Sequence, residues 1–556
     1  TGNVYVASQR YNPFNSTLGI YMVFSSAKDG ITIKVAGKLE PDPVTGQLTS
    51  IFTENPEAPF SKISLHFFDG PRAPLINPPR CGTYAIHSEL SPWSAVDPAN
   101  PTPAEIVAAD SSYVVDSGPG GGPCPGGGLD PKLEAGLENA TAGAKSPFVL
   151  RLSRDDGSGR FTALDVAMPK GLTAYLKGVP YCSEGVFAAI SGAEQTGRAE
   201  LLSPACPAAS QVGTVLAGAG AGPFPFYAQG RAYLAGPYKG APLSIVIVTP
   251  AVAGPFDFGS VVVRNALYVD PVTSQVTVKS DPIPTILHGV LLDVRDLRVR
   301  IDRPDFTAAP TSCEPSEIGV RVGGEGGAST TASTRFQVGG CENLGFRPQL
   351  SLRLLGGTKR GAHPRLVASL TARPGDANIA GASVALPHSE FLEQAHIRTV
   401  CTRVQFAAQQ CPAGSIYGEA EAQTPLLDGP IRGPVYLRSS SNPLPDMVAA
   451  LRGPDHQPIE VVLASRIDSV RGGIRSSFEA LPDQPVSSFT LRMQGGKKGL
   501  LVNSRDICKS VNRVVAKFSA HNGRTATLRP VLKPSCKKKK KPAPKGKRKG
   551  GKRKGR

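Results

Sequence analysis

Ten cysteines are the residues of this chain best placed to do chemistry, and they fall along it as five neighbouring pairs: Cys81 with Cys124, Cys182 with Cys206, Cys313 with Cys341, Cys401 with Cys411, and Cys508 with Cys536. The third and fifth pairs share one spacing of 28 residues. Thiols so arranged can ligate a metal or oxidise to disulfides. A structural metal site asks for C-x2-C knuckles or histidines at ligand spacing, and neither is present. Five matched pairs therefore point to intra-unit disulfides and an oxidising compartment. Each bridge contributes about 2–4 kcal/mol, mainly by restricting the unfolded chain.

The second chemical concentration is charge. The formal net charge is +18, but Lys537, Lys538, Lys539, Lys540, Lys541, Lys545, Lys547, Arg548, Lys549, Lys552, Arg553, Lys554 and Arg556 lie together in a terminal segment with no acid. These 13 residues leave 49 basic against 44 acidic residues over the rest, a net of +5. The body thus lacks the electrostatic footprint of a nucleic-acid binder. A tail this basic, interrupted by Pro542, Pro544 and glycines, is expected to be disordered. It suits anionic envelope polymers or acidic glycans, at about 1 kcal/mol per basic residue near an anionic surface.

Other candidates are weaker. His388, Glu390, Glu393 and His396 sit on one stretch, but the H-E-x-x-H pattern of a metal helix is not met, and a solvated helix face is expected. Asp155-Asp156-Gly157-Ser158-Gly159 lacks the further carboxylates of a calcium loop and reads as a hairpin turn. Gly218-Ala219-Gly220-Ala221-Gly222 precedes Pro223 and no helix, so it is a poor phosphate cradle. The glycines of 118–128 read as a linker. Trp93, the one tryptophan, lies in an insertion and reads as part of a local apolar cluster more readily than as a sugar platform. There is no nucleophile elbow. No enzyme activity, cofactor or metal is expected.

The elements carrying these residues are repeated. Gly2-Asn3-Val4-Tyr5-Val6, Gly230-Arg231-Ala232-Tyr233-Leu234 and Gly433-Pro434-Val435-Tyr436-Leu437 each open a series of β-branched runs. Each series reaches a cysteine 76, 80 or 72 residues after its tyrosine. A second unit recurs as Phe148-Val149-Leu150-Arg151-Leu152 to Val166-Ala167-Met168-Pro169, and as Leu366-Val367-Ala368-Ser369-Leu370 to Val384-Ala385-Leu386-Pro387. Both copies end in a cysteine pair whose second member opens a Cys-Pro-Ala run, Cys206-Pro207-Ala208 and Cys411-Pro412-Ala413. Internal duplication is read before any local motif. Calling the Cys–Pro half A and the Gly-x-x-Tyr half B gives the order B-A-B-A-B: 1–124, 125–225, 226–341, 342–428 and 429–536, then the tail 537–556. Opening in a B unit, without initiator methionine or signal peptide, leads us to expect a piece of a longer protein.

Short strands such as Ser244–Thr249, Ser260–Arg264 and Gln275–Lys279, bounded by Pro, Gly and Asp, predict an all-β chain of tandem antiparallel, immunoglobulin-like sandwiches. With 61 Gly and 52 Pro, long helices are not expected. Lys170–Lys177 and Ser389–Val400 have helical spacing and predict short helices. No apolar run of 18 residues could span a membrane as a helix.

Ala232-Tyr233-Leu234-Ala235-Gly236-Pro237-Tyr238-Lys239-Gly240-Ala241-Pro242-Leu243, with Val269-Asp270-Pro271, Ser280-Asp281-Pro282-Ile283-Pro284 and Cys206-Pro207-Ala208-Ala209-Ser210, resembles a family of large secreted repeat proteins from high-GC Gram-positive, actinobacterial-type bacteria. The resemblance spans all but the tail and the insertion around Trp93. It implies a secreted repeat architecture and transfers no activity or site. The function expected is that of a non-enzymatic extracellular or cell-envelope protein, a spacer, adhesin or structural component attached through its tail. The alternative is a set of carbohydrate- or polymer-binding modules accessory to an enzyme. Exposed aromatics at equivalent positions of all three B units would distinguish the two.

Overall fold

The computed structural model describes residues 1–9, 11–16, 18–70, 73–78, 80–192, 196–470 and 473–536. The tail, with the 13 basic residues named above, lies outside them. The chain is all-β, 45% strand and 8% helix.

Each B unit begins with the same four-stranded antiparallel meander. In the first unit it comprises β1 (Gly2–Val6), β2 (Leu18–Ser26), β3 (Ile31–Pro41) and β4 (Leu48–Ile51). The second unit uses Phe226–Ala235, Leu243–Ala253, Phe256–Val269 and Val276–Ser280. The third uses Ile431–Arg438, Asp446–Arg452, Glu460–Val470 and Gly473–Phe478. Register is conserved as well: Tyr5 pairs with Tyr21, Tyr233 with Val246, and Tyr436 with Val448. The glycine that opens each repeat has a steric reason. A Cβ there would lie 2.1 Å from Val23 O at Gly2, 2.8 Å from Val248 O at Gly230, and 1.7 Å from Ala450 O at Gly433. Only a residue without Cβ allows the neighbouring backbone so close.

A and B units do not form separate sandwiches. Strands of 125–225 and 226–341 interleave in one 11-stranded sheet, so the expected boundary at 225/226 falls between neighbouring paired strands, Gln211–Ala219 and Phe226–Ala235. Outside the meander, Gln211–Ala219 covers one edge and Phe161–Ala167 the other. Phe148–Ser153 pairs with Asp296–Ile301. Residues 342–536 repeat this order strand for strand and add Leu532–Pro534, parallel to Gln349–Leu355. In the first such module the sheet curls until its edges meet: Ala142 N donates to Gly339 O at 2.8 Å, and Gly339 N to Ala140 O at 2.9 Å. One sheet folded over on itself thus supplies both facing layers, and their inward side chains form the apolar interior.

All five sulfur pairs are bridged. Cys81–Cys124, Cys313–Cys341 and Cys508–Cys536 each enclose a hairpin of their B unit. Cys182–Cys206 encloses α1 (Glu184–Ile190) and α2 (Gly197–Leu202), and Cys401–Cys411 encloses α3 (Arg403–Ala407). Five such bridges belong to an oxidising, extracellular environment.

Of the two helices expected before Cys182 and Cys401, the first is not formed and the second shrinks to one 3-10 turn at Gln394–His396. Thr173–Ala174 pairs with Thr307–Ala308, and Glu390–Leu392 with Leu501–Asn503. Gly171 and Gly178 take φ of +83° and +75°, which no right-handed helix accommodates. Leu172, Thr173 and Leu176 are buried because an extended segment threads between layers, a pattern that mimics helical spacing. The turn at Asp155–Gly159 likewise joins strands that do not pair with each other, Phe148–Ser153 and Phe161–Ala167, so it is a crossover and not a hairpin.

Candidate functional site

A cavity of about 740 Å³ opens between the interiors of the two complete modules. Leu234, Ile245 and Val299 wall it from the first, and Leu352, Leu451 and Leu491 from the second. They reach it by strand alternation: every second residue of an amphipathic strand faces inward. Many of its walls belong to one apolar cluster that runs through both modules, from Val212 and Leu234 to Leu437 and Met493.

Polar groups mark the junction of the modules. The Thr173 hydroxyl bonds the Gln484 side chain. Leu176 N donates to Leu426 O at 2.8 Å and Gly178 N to Asp428 Oδ1 at 2.8 Å. Asp483 is buried and accepts four bonds, from Thr311 N (2.8 Å), Thr311 Oγ1 (2.5 Å), Ser312 N (3.0 Å) and Asn378 Nδ2 (2.8 Å). At the cavity margin Lys145 Nζ lies 3.4 Å from Asp305 and 4.9 Å from the centre of the Tyr175 ring. Burial, aided by Asp305, raises the Tyr175 hydroxyl above its ordinary range, so it remains a neutral donor. Among the described lining residues there is no histidine or cysteine. Such a wall can exclude water, enclose apolar chains and orient a polar end at the junction.

The residues singled out in sequence are dispersed. His388 is exposed, whereas Glu390, expected on a solvated face, is fully buried. Burial raises its carboxyl to about 7, against the opposing influence of the Ser389 hydroxyl. Both Glu390 oxygens, Ser389 Oγ and Asn503 Oδ1 are buried without a hydrogen-bond partner, and Glu390 and Asn503 stand opposite each other in the register of two paired strands. The equivalent bridge of the first module pairs Thr173 with Ala308. Glu393 and His396 instead meet His363. Its Nε2 is 3.2 Å from Glu393 Oε2, which holds the Glu393 carboxyl below its ordinary range, and its ring centre is 4.5 Å from that of His396. Asp155 pairs with Lys132, while Asp156 Oδ2 accepts from Gly222 N of the glycine-rich segment at 2.7 Å. Trp93 is half exposed in a loop between two short strands. Tyr233 is buried, Tyr436 packs edge-on against Phe406, and Tyr5 is exposed, so the repeated tyrosine presents no common aromatic platform.

Sequence reasoning found the strands that line the cavity but not the cavity. Its signal was the apolar alternation in both A and B halves, which marks inward faces without saying that two modules share one interior. Among the described residues no three His, Cys, Asp or Glu side chains gather as metal ligands, and no helix is long and apolar enough to cross a membrane. The chain matches no known protein-family model, and no curated protein is significantly similar to it.

Proposed function

We propose that this is a non-enzymatic extracellular repeat protein whose adjoining modules hold an elongated apolar ligand, such as the acyl chains of an envelope lipid. The 740 Å³ apolar cavity walled by both modules carries this reading, since its size lies in the range of small-molecule sites. A chain-like ligand fits a space that continues from one module into the next, and the polar junction offers partners for a head group. The five disulfides support an extracellular setting. Attachment to anionic envelope polymers through residues 537–556 completes the proposal, because 13 positive charges without a compensating acid form a strong salt-sensitive anchor.

The test is titration of the full-length chain with cis-parinaric acid, whose fluorescence rises on leaving water, alongside native mass spectrometry for co-purified lipid. Ala232→Phe and Ala422→Phe place bulk into the cavity wall from opposite modules. Each is expected to weaken binding at least about tenfold, the scale of 1.4 kcal/mol, while leaving the far-ultraviolet circular dichroism of the chain intact. A wild-type chain that binds neither probe nor lipid, or folded variants binding as tightly as wild type, refutes the reading.

A further inference from the structure

In the two complete modules the meander of the B unit is covered by A-unit strands; in the first B unit it is not. Val4, Tyr5 and Val6 of β1 are 37%, 52% and 61% exposed. Their counterparts Ala232, Tyr233 and Leu234 are 0%, 1% and 0% exposed, and Val435 and Leu437 are each 1%. The difference does not arise within the meander, whose pairing register is the same in all three units. It arises at the edges. Phe226–Ala235 is flanked by Gln211–Ala219, and Val276–Ser280 by Phe161–Ala167. Ile431–Arg438 is flanked by Ile416–Gln423, and Gly473–Phe478 by Ile379–Ala385. The four-stranded sheet of β1 to β4 ends at β1 and β4 among the described residues. Two open edges and one bared apolar strand therefore coincide at the positions that A-unit strands occupy twice elsewhere in this chain.

We propose that the first B unit is a docking surface for an A-type β unit, a module of the kind formed by residues 125–225 and 342–428, which adds its strands to both edges of β1–β4. An unpaired edge is a ready template for strand addition: main-chain bonds supply affinity, and alternate side chains supply register. The register follows from the sister modules. Tyr233 faces Gln211 and Gly230 faces Val215, while Tyr436 faces Ile416 and Gly433 faces Ala420. The incoming strand runs antiparallel to β1, with its Gln211 or Ile416 equivalent opposite Tyr5 and its Val215 or Ala420 equivalent opposite Gly2. This inference is independent of what the cavity binds.

The experiment fuses a second copy of residues 342–428 ahead of Thr1 in the otherwise complete chain and follows amide exchange by mass spectrometry. Exchange in β1 and β2 is expected to slow at least about 100-fold, because paired and covered strands open only in larger unfolding events. Val6→Asp, at the position of Leu234, is expected to abolish that protection in the fused chain while leaving the complete modules as protected as before. Unchanged exchange in β1 and β2 of the fused chain overturns the proposal. So does strong, concentration-dependent protection of β1 in the unfused chain, which would mean that the surface pairs with a second copy of itself and not with an A-type unit.

Discussion

Replacing Glu390 by glutamine tests the least conventional group in the second complete module. The carboxyl is fully buried, and its pKa of about 7 stands above an ordinary 4.5. With a proton, Glu390 becomes a donor, and it lies opposite Asn503, whose Oδ1 lacks one. Ionised, it would be a buried charge facing another acceptor. A folded pKa raised above the unfolded one gives stability that is complete below about pH 4.5 and lost as pH rises through 7. Two and a half pH units at 1.36 kcal/mol each correspond to about 3 kcal/mol over that window. Glutamine keeps the shape and a donor but cannot ionise, so Glu390→Gln is expected to remove most of this slope and to exceed wild type in stability above pH 7. The assay is denaturant-dependent amide exchange of peptides containing the buried residues Leu352, Leu354 and Ile507, which form a core with Leu501 beside the Glu390 strand, at pH 5, 6, 7 and 8. The His363–Glu393 pair is present in both proteins and cancels in the comparison. An unchanged slope in the variant would refute the protonated network.

Deleting residues 537–556 is expected to abolish retention on washed cell envelopes at low salt while leaving folding intact, as pull-down at graded ionic strength would measure; equal retention would end the anchoring idea. Asp296 predicts acid sensitivity of the first module. Burial acting alone would raise its carboxyl, but bonds from Arg298, Arg151 and Tyr227 outweigh burial and bring it to about 2 from 3.8. A lowered folded pKa gives stability that is present above the ordinary value and lost as pH falls toward 2, here about 2 kcal/mol. Asp296→Asn should flatten the stability of that module between pH 4 and pH 2 in thermal melts.

Much of this fold could be read from residue types. Gly-x-x-Tyr marked the first strand of each meander because a glycine is forced there by the approach of the next strand. The Asp42 and Asp270 turns repeat for a similarly local reason: each carboxylate accepts from the backbone and hydroxyl of a threonine three residues on. Neighbouring cysteines marked their own hairpins and helices. Lost to such reading were features decided by distant pairing. Phe148-Val149-Leu150-Arg151-Leu152 pairs with Lys132–Leu137 of its own unit, yet the partner on its other edge begins at Asp296. Glu390 looked solvated because its cover, the strand ending at Asn503, lies far along the chain. The shared cavity belongs to the same category, since it exists only where one curled sheet meets another.

Interleaving also governs how such a chain can be made. Arg151 and its partner Asp296 are 145 residues apart, so Phe148–Ser153 can pair early with Lys132–Leu137, but its other edge must wait until most of the following unit has emerged. Non-local pairing of this kind slows folding and prolongs exposure of sticky intermediates. The sulfur bridges, by contrast, join residues only 10 to 43 positions apart and can close before the long-range ladder is laid down. In an oxidising compartment, then, small covalent loops would form first as markers, and each module would zip up around them afterwards. Cutting the gene at the apparent repeat boundaries would yield halves unable to complete a wall.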